Sequence, residues 1–96
     1  MSVVSVLRLH ARDGADLAAA FAKLEIFEHS RQSGGFRRGQ LLRPVERGDP
    51  YLVVAAWESA EDYQRWLDNP VRAELGAQLE PLLDGDVASG ELYEEV

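Results

Sequence analysis

Tyr51-Leu52-Val53-Val54-Ala55-Ala56-Trp57 is a run of seven residues without a charge. Its density of Tyr, Val and Trp reads as a β-strand. Successive side chains of a strand point to opposite faces, so a strand covered on one side alternates apolar with polar. Here both sets are apolar: Tyr51, Val53, Ala55 and Trp57 on one face, Leu52, Val54 and Ala56 on the other. Both faces are therefore expected to be covered. A chain of 96 residues has little to cover them with, because it buries only about 60–65% of its unfolded surface. Helices can take one face, and a partner sheet is expected to meet the other.

Upstream, Glu46-Arg47-Gly48-Asp49-Pro50 reads as a turn, and Phe36 to Val45 as the strand before it, with Pro44 near its end. Before that, Leu17, Phe21, Leu24 and Phe27 recur at helical spacing. They predict one helix, capped by Asp13 or Asp16 and running to about Ser30, with Ser33-Gly34-Gly35 ending the unit. Val3 to Leu9 is the first strand. Downstream, Ser59 is placed to cap a helix carrying Tyr63, Trp66 and Leu67 on its inner side. Asn69 and Pro70 start the next, whose stripe is Val71, Leu75, Leu79 and Leu82, with Pro81 ending or bending it. Asp84-Gly85-Asp86 leads to a last strand, Val87 to Glu94. The order β-α-β-β-α-α-β is the ferredoxin-like split βαβ pattern, an α+β fold with helices on one face of an antiparallel sheet. Residues 1–96 are expected to form a single domain.

The absence of cysteine excludes disulfides, thiolate metal sites and a cysteine nucleophile. The two histidines, His10 and His29, stand in no recognised metal spacing, and no metal is expected. Residues 1–57 carry eight basic and six acidic side chains, residues 58–96 two and eleven, giving +2 and −9. An acidic chain repels nucleic acid and anionic membranes, so neither is expected as a partner. The Arg37, Arg38, Arg43 and Arg47 cluster reads as a solvated hairpin able to pair with the acidic half of a second subunit. No stretch approaches the about 20 apolar residues of a membrane span, and the N-terminus lacks the basic start of a leader. The cytoplasm is the expected location.

The central block joins Gly35-Phe36, Gln40-Leu41-Leu42-Arg43-Pro44-Val45, Tyr51-Leu52-Val53-Val54, Trp57-Glu58-Ser59, Tyr63-Gln64, Trp66 and Asn69-Pro70. It resembles the antibiotic-biosynthesis-monooxygenase family of dimeric α+β barrels, most strongly from Gly35 to Leu75. The resemblance implies two sheets packed face to face across a homodimer, and a pocket between sheet and broken helix in each subunit. In the quinone-forming branch, O₂ oxidises tricyclic aromatic polyketides without metal, flavin or other cofactor, the substrate carbanion supplying the electrons. Trp57 and Tyr63 match that branch's Trp and Tyr. Its Asn position is Val53 and its Arg position is Gly76, with Arg72 one turn earlier and Arg65 as substitutes for the Arg. In the haem-degrading branch, Trp66 matches the Trp, while the iron-ligating His position is Leu75 and the Asn position Leu7. Without that ligand the resemblance argues against haem degradation.

The candidate catalytic residues are Tyr63, Trp57 and Arg72. The candidate substrate contacts are Trp66, Arg65, Val53, Leu75, Phe21 and His29. Each aromatic also has a packing explanation at its position. His29 reads as a capping cation near a helix end, or as a base if that end opens on the pocket. Arg8 is a candidate for the inner face of the first strand. Three activities stay open: a cofactor-independent monooxygenase acting on a small aromatic molecule, a non-catalytic binding or accessory barrel, and a cyclase or isomerase on the same scaffold.

Overall fold

Chain segments that alternate between strand and helix pack as a sheet with a helical layer, and this one does so with four strands. The computed structural model describes residues 2–85, 87 and 89–96. The strands are β1 (Val3–Leu9), β2 (Phe36–Leu42), β3 (Tyr51–Trp57) and β4 (Glu91–Glu94). Their order across the sheet is β2-β3-β1-β4, and each neighbouring pair is antiparallel. The helices are α1 (Gly14–Lys23), α2 (Ile26–Ser33), α3 (Ala60–Leu67) and α4 (Pro70–Leu79), and a 3₁₀ turn follows at Glu80–Leu82. This is the ferredoxin-like α+β fold expected.

Register fixes the two faces. Val3 lies opposite Trp57, Ser5 opposite Ala55, Leu7 opposite Val53 and Leu9 opposite Tyr51, and this set faces the helices. Leu17 and Phe21 of α1, Ile26 of α2, Trp66 of α3 and Leu75 and Leu79 of α4 are buried against it. The other set, Val4, Val6, Leu52, Val54 and Ala56, forms the outer face with Tyr93 of β4 and Leu42 of β2. No helix covers it. Leu42 and Tyr93 are exposed, and Leu52 and Val54 are only half-buried. Arg8 belongs to this outer face rather than the inner one, where it pairs with Glu91. Arg38 pairs with Glu95 of its own chain at 3.7 Å.

Helix boundaries follow local chemistry. Asp13, not Asp16, caps α1 and accepts from the backbone N–H groups of Ala15 and Asp16 at 2.9 and 3.3 Å. The Ser59 hydroxyl accepts from the Asp62 N–H at 3.2 Å, and the Asn69 side chain from the Val71 N–H at 3.0 Å. The expected single first helix is in fact two. Glu25 takes the left-handed conformation at φ 51° and starts a new axis at Ile26. The break lets Ile26 and Ser30 be buried while Phe27 also turns inward. A continuous helix would not bring Ile26 and Phe27 to the sheet together.

Two strands are shorter than expected. β2 stops at Leu42 instead of Val45, because Pro44 has no N–H to give the ladder. β4 begins at Glu91 rather than Val87, and Asp86 and Ala88 of the predicted approach lie outside the described residues. The Tyr63 hydroxyl stands 2.6 Å from where a Cβ on Gly90 would lie. The chain joins the sheet at the residue after that glycine.

Candidate functional site

Between the inner face of the sheet and the helices lies a cavity of about 410 Å³, within the roughly 300–1,000 Å³ typical of small-molecule sites. Its floor is Ser5, Leu7 and Leu9 of β1 with Val53, Ala55 and Trp57 of β3. Phe21 of α1 and Ile26, Phe27 and Ser30 of α2 form one wall. Tyr63 and Trp66 of α3 and Arg72, Leu75, Gly76 and Leu79 of α4 form the other, with Glu80, Leu83, Gly85 and Val87 beyond them. The floor exists because inner positions of the paired strands share one face. The far wall exists because Asp68-Asn69-Pro70 breaks the helix and aims α3 and α4 differently.

Trp57 is 1% exposed and among the most completely buried side chains. Its indole Nε1–H donates to the Ser5 Oγ at 3.0 Å. Aromatic rings continue from it in both directions. Phe36 packs edge-on at 5.3 Å between centroids, and Phe27 and Phe21 follow at 6.1 and 5.9 Å. On the other side the Tyr63 ring lies tilted at 5.6 Å. Close approach is required where Phe27 crosses β2: a Cβ on Gly39 would lie 2.4 Å from the Phe27 ring.

Burial pushes the Tyr63 phenol above its usual pKa, and the nearby positive charge of Arg72 only partly offsets that. The phenol therefore stays protonated at neutral pH and is a hydrogen-bond donor rather than a base. Among the described residues Arg72 enters none of the salt bridges and is the only cation lining the cavity. An arginine facing an apolar enclosure is a strong stabiliser of developing negative charge.

The structure brings together Trp57, Tyr63, Arg72, Trp66, Val53, Leu75 and Phe21 at this cavity. His29 and Arg65 are not among its lining residues. His29 sits in the middle of α2, not at a helix end, so the capping reading does not apply; its neighbour Ser30 faces in. Arg65 is held outside by Asp62, to which its guanidinium donates at 2.7 Å. Asp62 is in turn fixed by the Ser59 hydroxyl at 2.8 Å, and that bond, with Arg65, holds its carboxyl below the usual range. His10 is exposed and borders a separate, polar cleft with Arg12, Arg43 and Arg47. Sequence reading missed Ser5, Ser30 and Glu80. Ser5 was legible from strand parity alone, since it shares the face of Val3, Leu7 and Leu9. Gly76 faces open space, and a Cβ there would meet no atom within 4 Å.

Among the described residues no three of His, Asp and Glu gather as a metal site, and no helix is long and apolar enough to cross a membrane. The family profile described as "Antibiotic biosynthesis monooxygenase" matches residues 1–76. The mycobilin-producing heme oxygenase of Mycobacterium tuberculosis is 34% identical over 84 residues, covering 85% of this chain and 77% of the relative. The heme degrader MhuD from that organism, whose structure holds two hemes bound in its active site, is 34% identical to this chain. It superposes with a TM-score of 0.75 over 98% of this chain and 95% of its own. SnoaB, a cofactor-independent oxygenase from Streptomyces nogalater, is 23% identical with a TM-score of 0.79, over 99% of this chain and 93% of its own. This last likeness is one of fold. With the profile spanning most of the sequence and a 34% identical relative aligned over most of both chains, the chain belongs to the antibiotic biosynthesis monooxygenase family.

Proposed function

We propose that the chain is a cofactor-independent monooxygenase of a phenolic or polycyclic aromatic, acting as a homodimer. The observation that carries this reading is the convergence of a protonated Tyr63 and of Arg72, which enters no salt bridge among the described residues, on an aromatic-walled cavity. A flat, apolar substrate fits the Trp57, Trp66 and Phe27 surfaces, and a negative charge formed on it faces Arg72. The substrate carbanion reduces O₂: one oxygen atom becomes the new ring carbonyl and the other leaves as water with the two hydrogens of the oxidised carbon. In this scheme Tyr63 donates to a substrate oxygen and Arg72 steadies the anion. The exposed apolar strip of the outer sheet face supports the homodimer, because a second copy of that strip is its natural cover.

The relative from Mycobacterium tuberculosis is a heme oxygenase, so the fit of haem is a separate question. Haem iron is held by His, Cys, Met or tyrosinate. No His, Cys or Met lines the cavity among the described residues, and burial disfavours the phenolate of Tyr63. Leu75 and Leu7 both present hydrocarbon to the space. This donor set does not fit a ligated haem, and no step is assigned to one.

Oxygen uptake and quinone formation with an anthrone, in the presence of a chelator, test the proposal. Tyr63→Phe and Arg72→Ala are each expected to lower turnover by about 100-fold. Turnover unchanged in both variants would overturn the assignment. The apolar Val53 on the cavity floor favours a second reading, a binding or accessory role. Aromatic ligands bound with no oxygen consumed would establish it.

A further inference from the structure

Ser5 lies on the inner face of β1, is 5% exposed, and lines the cavity floor. A serine hydroxyl has one hydrogen to give and two lone pairs to accept with. One lone pair is occupied by the Trp57 indole N–H at 3.0 Å. The indole has no other donor, so Trp57 offers a ligand its ring and not its N–H. The Ser5 hydrogen is poorly used: its acceptor is the Ala55 carbonyl at 3.5 Å, far beyond the usual O–H···O separation of about 2.7–2.8 Å. A buried donor with so long a bond gains by turning to a better acceptor. The bond it receives from Trp57 polarises its own O–H and strengthens that donation. Ser30, the other serine facing the cavity, is already engaged, donating to the Ile26 carbonyl at 2.9 Å.

We propose that the Ser5 hydroxyl, oriented by Trp57, donates to a ring oxygen of the bound aromatic. This rests on the aromatic-ligand reading of the cavity and narrows it: the ligand carries a carbonyl or phenolic oxygen directed at the sheet. Tyr63 and Arg72 approach from the helical wall, so the two sides of the cavity grip different edges of one flat molecule. Ser5 is a positioning residue for orientation, and Trp57 positions it in turn.

Equilibrium dialysis without oxygen, using anthrone and its oxygen-free analogue anthracene, tests this on the full chain. Ser5→Ala is expected to weaken anthrone about threefold to tenfold and to change anthracene less than about twofold. Ser5→Thr, which keeps the hydroxyl, is expected to retain the preference for anthrone. Trp57→Phe is expected to reduce it, because Ser5 loses its orienting donor. The ratio of the two affinities is the readout, so general damage to the fold cancels. Equal loss of both ligands in Ser5→Ala, or no loss of anthrone, overturns the role of Ser5 while leaving the aromatic cavity standing. Failure of the unaltered protein to bind either ligand removes the aromatic reading, and the Ser5 proposal with it.

Discussion

Tyr63 combines two features that sequence spacing alone could not separate. Its ring packs on Trp57, as a core residue would, yet the residue also lines the cavity with Arg72, and its hydroxyl lies close to Gly90. The raised pKa gives it a stability signature. In the unfolded chain the phenol ionises near pH 10, while in the fold it holds its proton to higher pH. The folded state therefore binds more protons above the unfolded pKa, and stability falls as pH rises through that window. Below pH about 10 the contribution is fully present. Tyr63→Phe is expected to flatten this alkaline loss, seen as a smaller drop in denaturation midpoint between neutral and strongly alkaline buffer. An unchanged slope would mean that the hydroxyl is solvated. The cavity-facing parts of Trp57, Tyr63 and Arg72 were legible in the residue types. The bond from Trp57 to Ser5 was not, because it joins residues 52 positions apart and depends on strand register.

At the scale of elements, caps, turns and the break between α3 and α4 were readable, and the break between α1 and α2 was not. Ser59, Asn69 and Pro70 announce their helix starts by chemistry that acts within a few residues, and the structure places the starts there. The split of α1 from α2 has no such marker. Glu25 adopts φ 51°, a conformation that costs an L-residue roughly 1–2 kcal/mol, and nothing in its side chain asks for it. Packing dictates it, since Ile26 and Phe27 must both reach the sheet. Glu25→Gly is therefore expected to raise stability, by up to about 1 kcal/mol after the extra chain entropy of glycine is counted. A urea titration reads this directly, and a clear loss of stability would show that the Glu25 side chain contributes more than its backbone strain removes. The last strand was over-long in the sequence reading for a related reason. Val87 looks like strand, but its place in the cavity lining is set by tertiary packing.

For the whole molecule, the seven-residue apolar strand holds the argument for assembly. Ala55 and Trp57 are buried by the chain's own helices, while Leu52 and Val54 stay half-open beside Val4, Val6 and Tyr93. That contrast was predictable from alternation, and so was the need for a second cover. The cover expected from the sequence is a partner sheet, which a single chain does not contain. Val54→Lys would place a charge in the centre of the outer face without touching the cavity. Sedimentation equilibrium is expected to show a dimer for the parent and a monomer for the variant. A monomeric parent would rule out the paired-sheet assembly. The local ion pairs Arg8–Glu91 and Arg38–Glu95 lie at the edges of this face, where exposed pairs contribute at most about 1 kcal/mol each.

Gly76 gives the site a latitude that its other walls lack. Glycine inside a helix costs about 1 kcal/mol against alanine, and here the missing side chain faces empty space rather than a crowded neighbour. The vacancy is thus not demanded by the fold. An alanine Cβ at that position meets no neighbour, so it can be added with the scaffold undisturbed and changes the cavity lining at one point. A single codon change to alanine would gain helix stability while altering that one point of the lining.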